Sequence, residues 1–441
     1  MTGYSHDAPV APVSPPFTGA SDPAVPPPWD GESSGTRITG VRTFVTSVGG
    51  PTLVVVRVET NQPGLYGLGC ATFTQRALAV RTAIEEYLTP QVLGRDPADI
   101  TDIVNGLYLS SYWRGGPVLN NAISGIDEAL WDLKGKQAGL PVWQLLGGRA
   151  RAAVPVYAHA SGRDLPELTD NVRALIDQGY RYIRVQMAIP GSATYGSAQA
   201  PGEERPSWHT VSPQAWEPQL YTRTIPDMFS SLRAEFGQTI EFLHDVHSRL
   251  VPIQAVQLAK DLEPYKLFFL EDLLAPEDTE WLRMVRAQCS TPMAIGELFT
   301  DYSEFVPLMR ERLLDFVRMH VSDIGGLTPA WRVASACELL GIRTAWHGPP
   351  DLTPIGHAAN LALDLAAPAF GIQERYLTNK LAAQMFPGAP QVRDAHNHAW
   401  HTPGWGVDFD EALAAEHPPA APLAYDGWAR IREPSGAVQR P

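Results

Sequence analysis

Cysteine is scarce: only Cys70, Cys289 and Cys337 occur in 441 residues, far apart along the chain. Neither a disulfide framework nor a thiolate metal site can be built from that spacing, and a reducing cytoplasm is the expected compartment. Also missing is any run of about 18 apolar residues, the length a membrane-spanning helix needs. The N-terminus lacks the basic-then-apolar order of a secretory signal. There is no basic stretch, and 34 Lys and Arg against 48 Asp and Glu leave a net charge of −14, which argues against a nucleic-acid partner. An anionic small substrate stays open, because a bound metal and local arginines dominate the field inside a pocket. With 44% hydrophobic and 19% charged residues, the chain has core enough for one large domain and a smaller one.

Residues 1–36 are rich in Pro, Ser, Gly and Ala. Such a stretch cannot bury enough apolar surface to offset its ordering entropy, and reads as a disordered or docking tail. Over 37–150 the pattern suggests an α+β cap. Arg37–Val45 and Thr52–Glu59 form a hairpin about Gly49-Gly50-Pro51, and helices follow at Gln75–Leu88, Asp99–Tyr112 and Asn120–Gln137. Over 151–374, eight short apolar strands alternate with helical segments: Val154–His159, Tyr182–Gln186, Ile240–Asp245, Leu267–Glu271, Met293–Glu297, Phe316–Val321, Thr344–His347 and Ala369–Glu374. Strands that are apolar on both faces belong to a parallel sheet. Eight of them without a Gly-rich phosphate turn favour an α/β architecture of the (β/α)₈ barrel type over a doubly wound sheet. The segment 375–441 is irregular and is expected to return to the cap. Between Gln186 and Thr224 runs an unusually long Gly-, Pro- and Ser-rich connection, of the kind that serves as a lid or binding loop.

Almost every barrel strand ends in a polar side chain: His159, Arg184 with Gln186, Asp245 with His247, Glu271 with Asp272, Glu297, Arg318 with His320, His347 and Glu374. In a barrel those ends converge on one mouth, where the active site belongs. Asp245, Glu271 and Glu297 close consecutive strands, 26 residues apart in both steps. Three carboxylates at one point repel unless a cation lies between them, and an all-oxygen site with open positions suits a single Mg²⁺. Each carboxylate could instead cap the next helix, but equal spacing on three consecutive strands makes that reading the weaker one. His247, two residues past Asp245, is expected to point to the same side as that ligand. His320 and His347 are expected to bind substrate.

The strings His244-Asp245-Val246-His247, Phe269-Leu270-Glu271-Asp272 and Ile295-Gly296-Glu297 resemble the metal-bearing strands of the enolase superfamily, as does the run Gly125–Leu133 within Asn121–Gly148. Arg184-Val185-Gln186, the loop from Pro190-Gly191 to Tyr195-Gly196, and Trp346–Asp351 resemble the mannonate dehydratase subgroup. The likeness spans about residues 37–435. It implies a Mg²⁺-dependent carbon–oxygen lyase that dehydrates an aldonate such as D-mannonate or D-gluconate to a 2-keto-3-deoxy acid. It implies Tyr195 as base, its phenolate stabilised by Arg184, and His247 as the acid that protonates the departing 3-hydroxyl. Thr74, His159, Arg318, His320, His347, Asp351 and Glu374 match substrate-binding positions. Homo-oligomers (dimer, tetramer or octamer) are expected by the same analogy.

The second strand carries no lysine, so the lysine base common in the superfamily is not available from it. Thr74 stands where the subgroup has an asparagine, with a shorter reach and no amide. Pro349 occupies a variable position, and the chain ends Val438-Gln439-Arg440-Pro441 where relatives commonly close with a tryptophan. Weak activity, or a sugar acid other than mannonate, is the expectation. Two other readings stand beside it. One is a racemase or epimerase of a hydroxy acid, with Asp323 and His347 as a second base pair; the other is a metal-binding sensor or regulator without turnover.

Overall fold

The strand pair β1 (Ile38–Ser47) and β2 (Thr52–Thr60) is built on the β-branched runs around a tight turn in which Gly49 takes φ 94°. β3 (Tyr66–Cys70) pairs with β2 to give an antiparallel sheet in the order β1-β2-β3. These and all positions below come from a computed structural model, which describes residues 34–192, 214–348, 352–419 and 430–440. The account below concerns the unit Thr36–Pro441.

The helix Pro117–Ala138 lies directly on β3. It starts with Pro in its first turn and stops at Gly139, whose left-handed φ of 68° ends it. Contact is so close that a Cβ on Gly69 would sit 2.0 Å from the carbonyl oxygen of Gly125. Only glycine permits that approach. The free edge of β3 is then satisfied by helix carboxylates: Asp132 accepts the Leu68 N–H at 2.9 Å and Glu128 accepts the Cys70 N–H at 2.8 Å. Asp127 reaches the other way, accepting the Thr328 N–H at 2.9 Å at the start of the barrel helix Leu327–Leu340.

Burial pushes Asp127 up to about 7 and Glu128 up to about 8, so folding favours their protonated forms. That contribution is complete below the ordinary carboxylate range and is lost as pH rises through about 7 and then 8. Glu128→Gln should therefore flatten the fall in urea-unfolding stability between about pH 6 and 9. An unchanged slope would count against this account.

Eight parallel strands follow: β4 (Ala153–Gly162), β5 (Tyr182–Met187), β6 (Glu241–Asp245), β7 (Phe269–Glu271), β8 (Met293–Ile295), β9 (Phe316–Val317), β10 (Arg343–Thr344) and β11 (Gln373–Glu374). They pair in chain order. β11 returns to β4, and Thr344 bridges Phe370 just before β11, so the cylinder closes. The expected barrel is therefore present, with β9 to β11 shorter than the alternating apolar runs suggest. Their ladders carry on past the strands as single bonds, such as His347 N–H to Met319 O at 3.0 Å. The expected first cap helix is broken into a 3₁₀ turn, Thr74–Arg76, a helix, Ala77–Thr82, and a wider turn, Ala83–Leu88. β12 (His396–His398) runs antiparallel to the start of β4. Beyond it the chain touches the cap, where the Trp405 N–H meets Asp132 at 2.9 Å. Among the described residues no helix is long and apolar enough to cross a membrane.

The cylinder is filled by a plug of Tyr157, Leu243, Phe269, Ala294, Phe316, Ala345 and Ile372, with Tyr182 packed against it. Side chains alternate faces along a strand, so residues two positions further on also face inward, one layer nearer the mouth. Those residues are His159, Asp245, Glu271, Arg318, His347, Glu374 and Arg184. One alternation thus lays an ionic ring directly on an apolar floor.

Candidate active site

Arg318 is the hub of that ring. Fully buried, it reaches Glu271 at 2.8 Å, Glu297 at 2.7 Å and Glu374 at 2.9 Å. Arg184 pairs with Glu271 and stands 3.4 Å from Glu374 and 3.8 Å from Asp245. Glu374 also accepts the Gly348 N–H at 2.8 Å and lies 3.0 Å from His159 Nε2. Burial works against ionising Glu374, but Arg318 and Arg184 outweigh it and hold its carboxyl well below the usual range. Burial, helped by Arg184 and Arg375, lowers His159 to about 4, so this imidazole is neutral near pH 7.

Glu297 departs from the alternation, since it lies three residues past the plug residue Ala294. Gly296 makes this possible with φ 136°, a backbone state that side chains rarely adopt. The turned carboxylate meets His247 Nε2 and His347 Nε2, each at 3.4 Å. His247 itself does not owe its direction to strand alternation, as its spacing from Asp245 suggested. β6 ends at Asp245, and His247 and Ser248 both take left-handed φ, 55° and 58°. The turn is held by Asp245 Oδ1, which accepts the His247 N–H at 2.7 Å. Two consecutive non-glycine residues in that region are a strained arrangement of the kind kept at functional sites.

The tightest group of ligand oxygens is Glu271, Asp272 and Glu297, all within 4.8 Å of one another. Asp272, rather than the expected Asp245, completes that trio, because its φ of 39° turns it back toward the ring after β7 ends at Glu271. Asp245 stands beside the group across Arg184. Five buried carboxylates (Asp245, Glu271, Asp272, Glu297, Glu374) face two buried guanidiniums. Glu271 Oε2 and Asp272 Oδ2 are buried without a hydrogen-bond partner among the described residues. Burial drives both groups well above the usual carboxylate range. Unsatisfied hard oxygens with excess negative charge fit a divalent cation such as Mg²⁺.

Around the ring, His320 Nδ1 and His347 Nδ1 share a hydrogen bond at 2.9 Å. The Thr74 hydroxyl accepts the Thr52 N–H at 2.9 Å, a contact within the cap that leaves its own proton to donate. Tyr195 and Asp351 lie outside the described residues. Asp323 does not reach toward His347: its carboxylate accepts from the Asn121 amide, and its carbonyl accepts from Asn120 at 2.6 Å. A histidine–aspartate second base is therefore not assembled there. Gln186, at its strand end, donates to the Asp245 carbonyl at 2.7 Å, and a supporting residue that the strand-end pattern overlooks is Asn360, which donates to the His347 carbonyl at 3.1 Å. Gln439 also donates to the Arg249 carbonyl at 2.7 Å, beside the turn that carries His247.

Comparison with known proteins agrees with this geometry. Residues 33–147 match the mandelate racemase/muconate lactonizing enzyme N-terminal domain, and residues 167–413 match the enolase C-terminal domain-like family. The chain is 49% identical over 414 residues to the D-galactonate dehydratase family member RspA of Pantoea ananatis, covering 92% of this chain and 99% of that protein. A D-galactonate dehydratase family member of Musicola paradisiaca is 46% identical over 415 residues, covering 92% and 99%. The crystal structure of an enolase from Pantoea ananatis with bound D-gluconate and Mg superposes with a TM-score of 0.86 at 48% identity, over 92% of this chain and all of that one. With both domains matched and near-complete relatives at this identity, the chain belongs to the enolase superfamily and, within it, to the D-galactonate dehydratase family.

Proposed function

We propose that this protein is a Mg²⁺-dependent dehydratase that converts a six-carbon aldonate, D-gluconate before D-mannonate or D-galactonate, to its 2-keto-3-deoxy acid. The observation that carries the reading is the buried trio of carboxylate oxygens at the rim of a barrel whose relative from Pantoea ananatis holds D-gluconate and Mg. Asp245, Glu271 and Glu297, with Asp272 at hand, would hold the ion. Bound there, it supplies fixed positive charge against the electron density that builds on the substrate carboxylate as the alpha proton leaves.

The remaining work falls to side chains. Tyr195 takes the proton from C2, and the Arg184 guanidinium lowers the cost of its phenolate from an ordinary pKa of about 10. His247 Nε2 gives a proton to the 3-hydroxyl, which departs as water, and the C2–C3 enol tautomerises to the ketone. The proton gained by Tyr195 and the one lost by His247 restore the resting charges once exchanged with solvent. His159, Arg318, His320, His347, Asp351 and Glu374 grip the hydroxyls, and Thr74 offers one more donor from the cap. With a threonine in place of an amide, that grip is weaker, and kcat/KM is expected below about 10⁴ M⁻¹s⁻¹, the low end for enzymes.

A panel of C5 and C6 aldonates with Mg²⁺, read by 2-keto-3-deoxy acid formation and by C2 deuterium incorporation from D₂O, tests the proposal. Loss of water from D-gluconate or a close epimer is expected. His247→Asn should lower dehydration about 10²- to 10⁴-fold while C2 exchange persists. Exchange without water loss in the wild type would point to epimerisation instead, and tight binding without either would point to a sensor.

A further inference from the structure

Behind the strand that carries Glu374 lies a small cavity of about 10 Å³. Its walls include His357 and Asn360 from the helix Pro354–Ala366, Gln373 and Glu374 of β11, Tyr376, and Asn397 of β12. The His357 ring stacks on Tyr376 with centroids 3.8 Å apart, forming one side. Asn360 and Asn397 are 2% and 7% exposed, and the Oδ1 atom of each is buried without a hydrogen-bond partner among the described residues.

The hydrogen bonds around the cavity decide what those two amides present to it. Asn360 Nδ2 donates to the His347 backbone carbonyl, a group that can only accept, so its Oδ1 is left as an acceptor. Asn397 is oriented by a relay. Gln373 Nε2 donates to Asp364 Oδ2 at 2.7 Å, Gln373 Oε1 therefore accepts from Asn397 Nδ2, and Asn397 Oδ1 is again left as an acceptor. The atom left unmet on each buried amide is thus its oxygen. A buried acceptor left unmet costs roughly 1–3 kcal/mol, and the cavity has room for about one guest the size of a water molecule.

We propose that this cavity is a binding site for a small, positively polarised guest, either a monovalent cation or water in its place, held by Asn360 Oδ1 and Asn397 Oδ1. The guest ties the helix Pro354–Ala366 and β12 to the strand bearing Glu374. Asn360 is then a positioning residue, with one end of its amide fixing the His347 strand end and the other fixing the guest. This holds whichever sugar acid is turned over.

Crystals of the full chain soaked in rubidium chloride test it. In the cation case an anomalous peak lies between the two amide oxygens. In the water case no anomalous peak appears, but an ordered solvent peak lies within about 3.2 Å of both oxygens. Either peak should be lost in Asn397→Ala, which removes one acceptor and enlarges the cavity. An empty cavity, or a peak of full height persisting in the variant, would overturn the assignment. A readout of position accompanies it: Asn360→Ala should raise KM for the sugar acid several-fold while Asn360→Ser, which can still donate to the His347 carbonyl, should recover part of that loss. Equal KM in all three proteins would remove the positioning role.

Discussion

Glu271→Gln should lower kcat/KM by about 10³-fold or more, the equivalent of several kcal/mol of transition-state stabilisation by a metal, while the far-ultraviolet circular dichroism stays that of the wild type. Glu271 belongs to the trio of oxygens that fits a cation, and like Glu374 it is contacted by both Arg184 and Arg318. The amide keeps the shape of the side chain but removes one negative charge from five. It also turns an NH₂ group toward guanidiniums that need acceptors. Mg²⁺ affinity should therefore fall together with turnover. Isothermal titration with Mg²⁺ separates this from a purely structural lesion: a variant that binds the ion as tightly as the wild type, or turns over unchanged, would remove Glu271 from the proposed ligands. Raising Mg²⁺ should restore part of the rate if the lesion is chiefly in binding the ion.

Much of this site is legible in the chain because the barrel imposes a two-residue rule. Phe269 and Glu271, Phe316 and Arg318, and Ile372 and Glu374 each pair an apolar floor residue with a polar rim residue. Any strand-end reading finds them. Residues whose direction comes from a backbone reversal escape it. In a continuous strand Asp272 would face away from Glu271, and its return to the cluster depends on one left-handed residue that no glycine announces. His247 comes within 3.4 Å of Glu297 through a left-handed turn, not through the strand alternation that its spacing from Asp245 suggests. Asp323 stands near His347 in sequence terms, yet Asn121, 202 positions earlier, takes its carboxylate. A contact of that range leaves no local trace. In the cap, Asp127, Glu128 and Asp132 look like solvated helix charges until Gly67 and Gly69 are seen to bring the β3 backbone onto the helix. Free strand N–H groups then make buried acceptors necessary.

Arg318→Met should cost about 3–5 kcal/mol of stability in the absence of added divalent ions, the usual penalty for removing one partner of a buried charged group. A buried ion cluster exchanged entirely for apolar residues can be neutral in energy, but here only one sign of charge is removed. Glu271, Glu297 and Glu374, which Arg318 holds at 2.7–2.9 Å, would be left with Arg184 as the remaining guanidinium of the ring. The pH dependence has a definite sign. Arg318 and Arg184 hold Glu374 below the usual range, so its stabilising contribution is present above the unfolded-state value of about 4.3 and fades as pH falls through the folded one. The difference between wild type and variant should thus be largest near pH 7 and shrink in acid. Arg318→Lys should fall between them, because one ammonium cannot reach three carboxylates in the way a planar guanidinium does. Equilibrium urea unfolding at several pH values measures all three proteins. Should Arg318→Met match the wild type to within about 0.5 kcal/mol at neutral pH, the range expected of an inconsequential surface change, the ring would not be the strongly coupled charge cluster described here. The same proteins titrated with Mg²⁺ complete the argument: ion binding should narrow the gap, since positive charge of either origin relieves the same carboxylates.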